Sequence, residues 1–199
     1  MLSDLFDEFM FLSKKLREEY PKSLGEKVDN WEEILQLLDN DIPMLYQVIY
    51  SKVSGTHRDI KQQELMDFIP GYRLIHINEL NHEAVTLKSI YKDYDAKVKK
   101  VTPLLTNYSS DFICHCKMID GTENVASITH DDPKLTLMHV SSEKYLETLC
   151  EFYKSNVYYL DSDGYLDYDF EKEGEIGAKI LIIGLIEFLR TLYSLKEKN

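Results

Sequence analysis

The sequence predicts an α+β fold: a mainly antiparallel sheet flanked by helices, with extra helices at the N- and C-terminal ends. Three observations carry this. Apolar residues recur at helical spacing near both ends, from Leu5 to Leu16 and from about Glu175 to Lys196. Between them, Phe112 to Met118 and Leu135 to Val140 alternate with a period of two, the pattern of a strand. The short segments are joined by tight turn signals, Pro70-Gly71, Asp120-Gly121 and Asp161 to Gly164, and tight turns join antiparallel neighbours.

Element by element, Ser3 is placed to cap a first helix whose stripe is Leu5, Phe6, Phe9, Leu12 and Leu16, and which stops before Pro21. A second helix, from about Asp29 to Leu38, offers Trp31, Ile34, Leu35 and Leu38 to a core. Pro43 suits a first helical turn, where its missing N–H costs nothing, and Leu45 to Val53 follow until Gly55 ends the helix. Leu65 to Ile69 and Tyr72 to His76 read as short strands around Pro70-Gly71, with Asn78 or Asn81 capping a helix that reaches Ile90 or Tyr91. Lys92 to Lys100 has no apolar period and reads as a charged linker.

The hairpin after it is specified in detail. Phe112, Cys114, Cys116 and Met118 share one pleat face. A two-residue Asp120-Gly121 loop would strand Ala126 and Ile128 on the wrong side. A three-residue loop, Ile119-Asp120-Gly121 with Gly121 left-handed, instead sets Phe112 opposite Ile128 and Cys114 opposite Ala126. Leu135 to Val140 supplies a third strand. Ser141 caps a helix with Glu143 in its first turn and Tyr145, Leu146, Leu149, Phe152 and Tyr153 as its buried stripe. Val157 to Leu160 and Tyr165 to Tyr168 form a last hairpin. The final helix contains an apolar run, Ile180 to Ile186, that is hydrophobic nearly all round and is expected to be sandwiched or to meet a second subunit.

Length and composition bound the class. A chain of 199 residues buries enough surface, about 70% of the unfolded total, to need no staples, and one domain over residues 1–199 is expected. Three cysteines, two in Cys114-x-Cys116, form neither a secreted disulfide framework nor a paired zinc signature. The acidic start, Asp4, Asp7 and Glu8, is unlike a secretory signal, and the longest apolar run is far short of a membrane span, so a cytoplasmic protein is expected. A formal charge of −12 argues against nucleic acid or an anionic membrane as partner and favours a basic protein. From Asp161 to Glu175 seven acids face the single Lys172, a net −6, half of the total.

Several of these features, in order and spacing, resemble the SUKH superfamily, which includes a fungal cell-wall-synthesis regulator and many bacterial immunity proteins. Ile42-Pro43, Tyr46 three residues on and Ser54-Gly55 match its Leu-Pro, aromatic and Asn-Gly pattern, with Ser54 in place of Asn. Tyr72 to Leu80 is similar to its strand leading into a short acidic helix. Ser141 to Leu146 resembles its helix start, with Ser142 where Phe is common, and Tyr158 to Leu166 resembles its aromatic hairpin with an acidic Gly turn. The likeness covers a core of about 31–166, leaving 1–27 and 175–199 as terminal helical elaborations. It implies a binding module with no catalytic residues to carry over.

Chemical alternatives are weaker. Cys114 and Cys116, about 7 Å apart on one strand face, with His130, His139 and Cys150 as further donors, lack the turn-borne ligand spacing of zinc sites, and buried cysteine is the expectation. Asp161 to Asp167 matches part of a calcium loop, yet Tyr159 and Phe170 occupy the positions of its first carboxylate and bidentate Glu. His130-Asp131-Asp132 is similar to the pair of metal phosphohydrolases without their helical setting. No cofactor, metal or catalytic residue is therefore expected.

The expected function, as the resemblance implies, is a non-enzymatic immunity protein, monomer or homodimer, that neutralises a toxin domain, often a nuclease. A regulatory or scaffold module of the same type is the alternative, and a metal-dependent hydrolase a distant third. The partner surface is expected on Asp161, Asp163, Tyr165, Asp167, Tyr168 and Asp169, where charge for steering is interleaved with rigid aromatic contact area.

Overall fold

The computed structural model describes residues 1–38, 41–91, 97–132 and 134–180. It is a mixed α+β fold whose centre is a six-stranded antiparallel sheet in sequential order, β1 (Asp67–Ile69), β2 (Tyr72–Leu74), β3 (Val98–Thr106), β4 (Phe112–Met118), β5 (Glu123–Ile128) and β6 (Thr136–His139). Helices α1 (Leu2–Leu16), α2 (Tyr20–Ser23), α3 (Trp31–Leu38) and α4 (Met44–Tyr50) precede it, and α5 (Leu80–Ile90) follows β2 through a 3-10 turn at Ile77–Glu79. After the sheet come α6 (Ser142–Lys154), a separate hairpin of β7 (Tyr158–Leu160) and β8 (Leu166–Tyr168), and a helix, α7, over residues 170–180.

The β4–β5 register is the one the three-residue loop requires. Phe112 pairs with Ile128 and Cys114 with Ala126. Gly121 adopts φ 87°, and the amide of Met118 donates to the carbonyl of Thr122 at 2.8 Å to close the loop. Alternation along β4 is not matched by a wet face, however. Ile113 and His115 on the opposite pleat are as buried as Cys114 and Cys116, because Tyr46 of α4 packs edge-on against His115 with ring centroids 6.1 Å apart. The sheet is thus covered on both sides there, and the three cysteines are buried.

The linker expected from Lys92 to Lys100 is corrected. Strand β3 begins at Val98 and runs through Pro103 to Thr106, while residues 92–96 lie outside the described residues. Proline lacks the N–H that a central strand needs, and the strand tolerates it by an irregularity between Pro103 and Leu105 in its pairing with β4.

At the ends, α1 begins at Leu2 rather than being capped by Ser3, and the Met1 amino group pairs with Asp4 at 2.5 Å. Phe6 and Phe9 are fully buried, with Phe9 tilted against Phe68 of β1, ring centroids 4.4 Å apart, and edge-on to Tyr153 of α6 at 5.7 Å. In α6, Ser141 caps as expected, its hydroxyl accepting from the Lys144 amide at 3.2 Å. Helix α7 starts earlier than the expected Glu175, and the Leu181 to Ile186 part of its apolar run lies outside the described residues. No helix among the described residues is long and apolar enough to cross a membrane.

Close packing fixes the Ser54-Gly55 step. Gly55 has φ 88°, and a Cβ there would lie 2.4 Å from the carbonyl oxygen of Ile75, so only glycine allows the Thr56 amide to reach the Leu74 carbonyl at 2.9 Å.

Candidate partner-binding surface

Antiparallel pairing assigns each residue of the last hairpin to a face. Tyr158 pairs with Tyr168, Tyr159 with Asp167 and Leu160 with Leu166, and directly opposed residues share a side. Tyr158 and Leu166 are buried, so Tyr168 also turns inward and packs, half-buried, on the core. Tyr159 and Asp167 face outward. Of the six residues expected to bind a partner, Asp167 and Tyr168 therefore lie on opposite faces.

The remaining acids have local structural work as well as charge. Asp161 Oδ1 accepts from the amides of Asp163 at 2.9 Å and Tyr165 at 2.8 Å, which ties the turn, and Gly164 adopts φ 87° within it. Asp169 caps α7: Oδ1 accepts from the Lys172 amide at 3.1 Å and Oδ2 pairs with the Lys172 ammonium at 3.0 Å. Those two bonds hold the Asp169 carboxyl below the usual carboxylate range. Asp163 projects from the tip without an ion pair among the described residues.

Exposed apolar side chains complete this region: Tyr165 was among the residues expected from sequence, whereas Tyr159, Leu160 and Phe170 were not singled out. Tyr159 is 42% exposed, Leu160 37%, Tyr165 43% and Phe170 76%. The signal was present for one of them, because the same parity that turns Leu166 and Tyr168 inward turns Tyr159 outward.

Tyr165 also lines a cleft of about 210 Å³ beside the hairpin tip, together with Arg58, Asp67, Gly71, Arg73 and Tyr108. Arg73, only 3% exposed, donates to the Thr56 carbonyl at 2.7 Å and pairs with Glu79 at 2.7 Å and Glu83 at 3.0 Å. Burial works against ionisation of Glu79, but Arg73 and bonds from His57 and the Arg58 amide outweigh it and hold the carboxyl low. His57 in turn stacks on the buried His76 with centroids 3.5 Å apart. Burial, and then the adjacent His57, push the His76 imidazole down to about 4.

The other chemical candidates separate in space. Cys114, Cys116 and Cys150 are buried thiols, with burial pushing the latter two up to about 12. His130 leaves the cysteines and pairs with Asp111 at 2.8 Å. His139 lies against Tyr145, ring centroids 5.4 Å apart. Among the described residues, no group of three or more His, Cys, Asp and Glu side chains is arranged to hold a metal ion. The chain matches no protein-family model and no curated protein sequence.

Proposed function

We propose that this chain is a stoichiometric protein-binding module that engages a basic partner through the outer face and tip of its last hairpin. The carrying observation is the pair of exposed aromatic side chains Tyr159 and Tyr165, with Phe170 at the start of α7, set among Asp161, Asp163, Asp167 and Asp169. Acids raise the rate of encounter with a basic surface, and aromatic rings supply the contact area that holds the complex once formed. The exposed rings add little to the stability of the monomer, since they face water.

The resemblance to the SUKH superfamily supports a specific form of this reading: an immunity-type protein that covers the basic substrate groove of a toxin domain such as a nuclease. A nuclease groove is built to attract phosphate, and an acidic surface is a decoy for it. The test is titration of a basic toxin nuclease domain, encoded alongside this chain, with the purified protein. One-to-one suppression of nuclease activity is expected. Full nuclease activity in stoichiometric excess, with no complex by size-exclusion chromatography, would remove the immunity form.

A further inference from the structure

The cleft beside the hairpin tip is lined by one carboxylate, Asp67, and two guanidinium side chains, Arg58 and Arg73. Asp67 forms its wall, and its carboxylate accepts from the Gly71 amide at 2.8 Å but makes no ion pair among the described residues. Arg17, whose field reaches Asp67, directs its own donors elsewhere, to the backbone carbonyl of Asp67 at 2.8 Å and the Tyr153 hydroxyl at 3.2 Å. Burial consequently holds the Asp67 carboxyl above the usual carboxylate range. Arg73, which also lines the cleft, leaves little free charge there because Glu79 and Glu83 both neutralise it.

Two aromatic side chains line the same cleft as this carboxylate. Tyr165 comes from the hairpin tip, and Tyr108 is fixed by its hydroxyl to the Arg58 carbonyl and the Gln63 amide oxygen, each at 3.1 Å. The Arg58 guanidinium already lies over the Tyr108 ring, 5.7 Å from its centroid, so one wall holds a cation on its face. The volume, about 210 Å³, is below the roughly 300–1,000 Å³ of drug-sized ligand pockets. It suits one side chain better than a free cofactor.

We propose that this cleft is the anchor slot for one cationic side chain of the partner, arginine or lysine, with Asp67 as counter-ion and Tyr108 and Tyr165 as walls. Arg58 is the resident competitor, the lining cation that has no ion pair among the described residues and that an incoming guanidinium or ammonium displaces. The inference rests on the partner being basic and adds where its anchoring residue goes. A partly buried carboxylate in a cleft that also carries aromatic rings recognises a cation by charge and by ring quadrupole together, which a neutral side chain of equal size does not satisfy.

The full chain, titrated with N-acetyl-arginine methylamide, N-acetyl-lysine methylamide and the neutral N-acetyl-norleucine methylamide, tests the slot without the partner. The readout is the Gly71 amide in proton–nitrogen spectra. The two cationic probes are expected to shift it saturably and the norleucine probe to leave it in place. Asp67→Asn, which keeps an acceptor for the Gly71 amide, is expected to weaken the cationic probes about ten-fold or more, as is the surface change Tyr165→Ala. Arg58→Ala is expected to tighten them several-fold. Equal shifts with norleucine, or unchanged affinity in Asp67→Asn, would overturn the slot. The hairpin variant with Asp161, Asp163, Asp167 and Asp169 changed to Asn separates the two readings: it should keep probe binding within about two-fold while slowing association with a basic protein. Probe binding that persists in a chain indifferent to basic proteins would leave the slot standing and remove the partner reading.

Discussion

Tyr159 and Asp167 stand directly across the β7–β8 ladder, and the Tyr159 hydroxyl donates to Asp167 Oδ2 at 3.3 Å. The pair sits on the outward face of the hairpin while Tyr158 and Tyr168 hold the inward one. An aromatic side chain fixed in place by a neighbouring acid is ordered before a partner arrives, so less side-chain entropy is lost when it is covered. Replacing Tyr159 and Phe170 together by Ser is expected to weaken partner binding by about ten-fold or more and to move the thermal midpoint by no more than about 2 °C. Calorimetric titration and thermal denaturation of the same variant check both halves.

Gly55 is expected to be intolerant. Its φ of 88° and the 2.4 Å from a built Cβ to the Ile75 carbonyl oxygen leave no room for Gly55→Ala without moving β2. A cost of about 2–4 kcal/mol is expected, or roughly 5–15 °C in thermal midpoint. Gly71 also has positive φ but open space around its Cβ position, so Gly71→Asn is expected to cost far less. Urea denaturation of the two variants gives the comparison.

How much of this was legible in sequence follows from how local each cause is. The β4–β5 register was legible because it depends on Gly121 and on the parity of Phe112, Cys114 and Ala126, all within one hairpin. Strand β3 was not, because Lys99, Lys100 and Pro103 contradict a central strand locally, and only the pairing irregularity after Pro103 reconciles them. The acidic hairpin was legible as a charge run. Its division into two faces was available from strand parity, which separates Asp167 from Tyr168, but charge alone grouped them. The cleft was illegible, since Asp67 comes from β1 and Tyr108 and Tyr165 from two separate turns that only the fold brings together.

Stability is expected to fall as pH drops from about 6.5 towards 4. Burial, aided by His57, holds His76 at about 4, and burial alone does the same to His139. Both imidazoles have a lower pKa folded than unfolded, where about 6.5 applies. Their neutral forms therefore stabilise the fold fully above about 6.5, and that contribution is lost as pH falls through the folded value. Urea midpoints at pH 7.5, 5.5 and 4.5 measure the slope, and His139→Gln is expected to flatten it relative to the parent chain. An identical slope in the variant would remove His139 as a cause.

The thiols are expected to be inert in the folded protein. Cys114, Cys116 and Cys150 are buried, and burial raises all three pKa values, Cys116 and Cys150 to about 12, so little thiolate forms near neutral pH. Ellman's reagent should titrate almost none of them natively and all three in denaturant. Rapid native reaction of one thiol would place it in an open environment.

The central claim is that the acids around Tyr159 and Tyr165 steer a basic partner, and association kinetics of the Asp161→Asn, Asp163→Asn, Asp167→Asn, Asp169→Asn variant test it most directly. Each substitution keeps a side-chain oxygen, so the Asp161 turn and the Asp169 cap retain an acceptor. Stopped-flow mixing with a basic toxin domain across a range of salt concentrations is expected to show a slower association rate at low salt and a flatter salt dependence than for the parent chain. An association rate and salt slope equal to those of the parent chain would contradict the account and move the binding surface away from this hairpin.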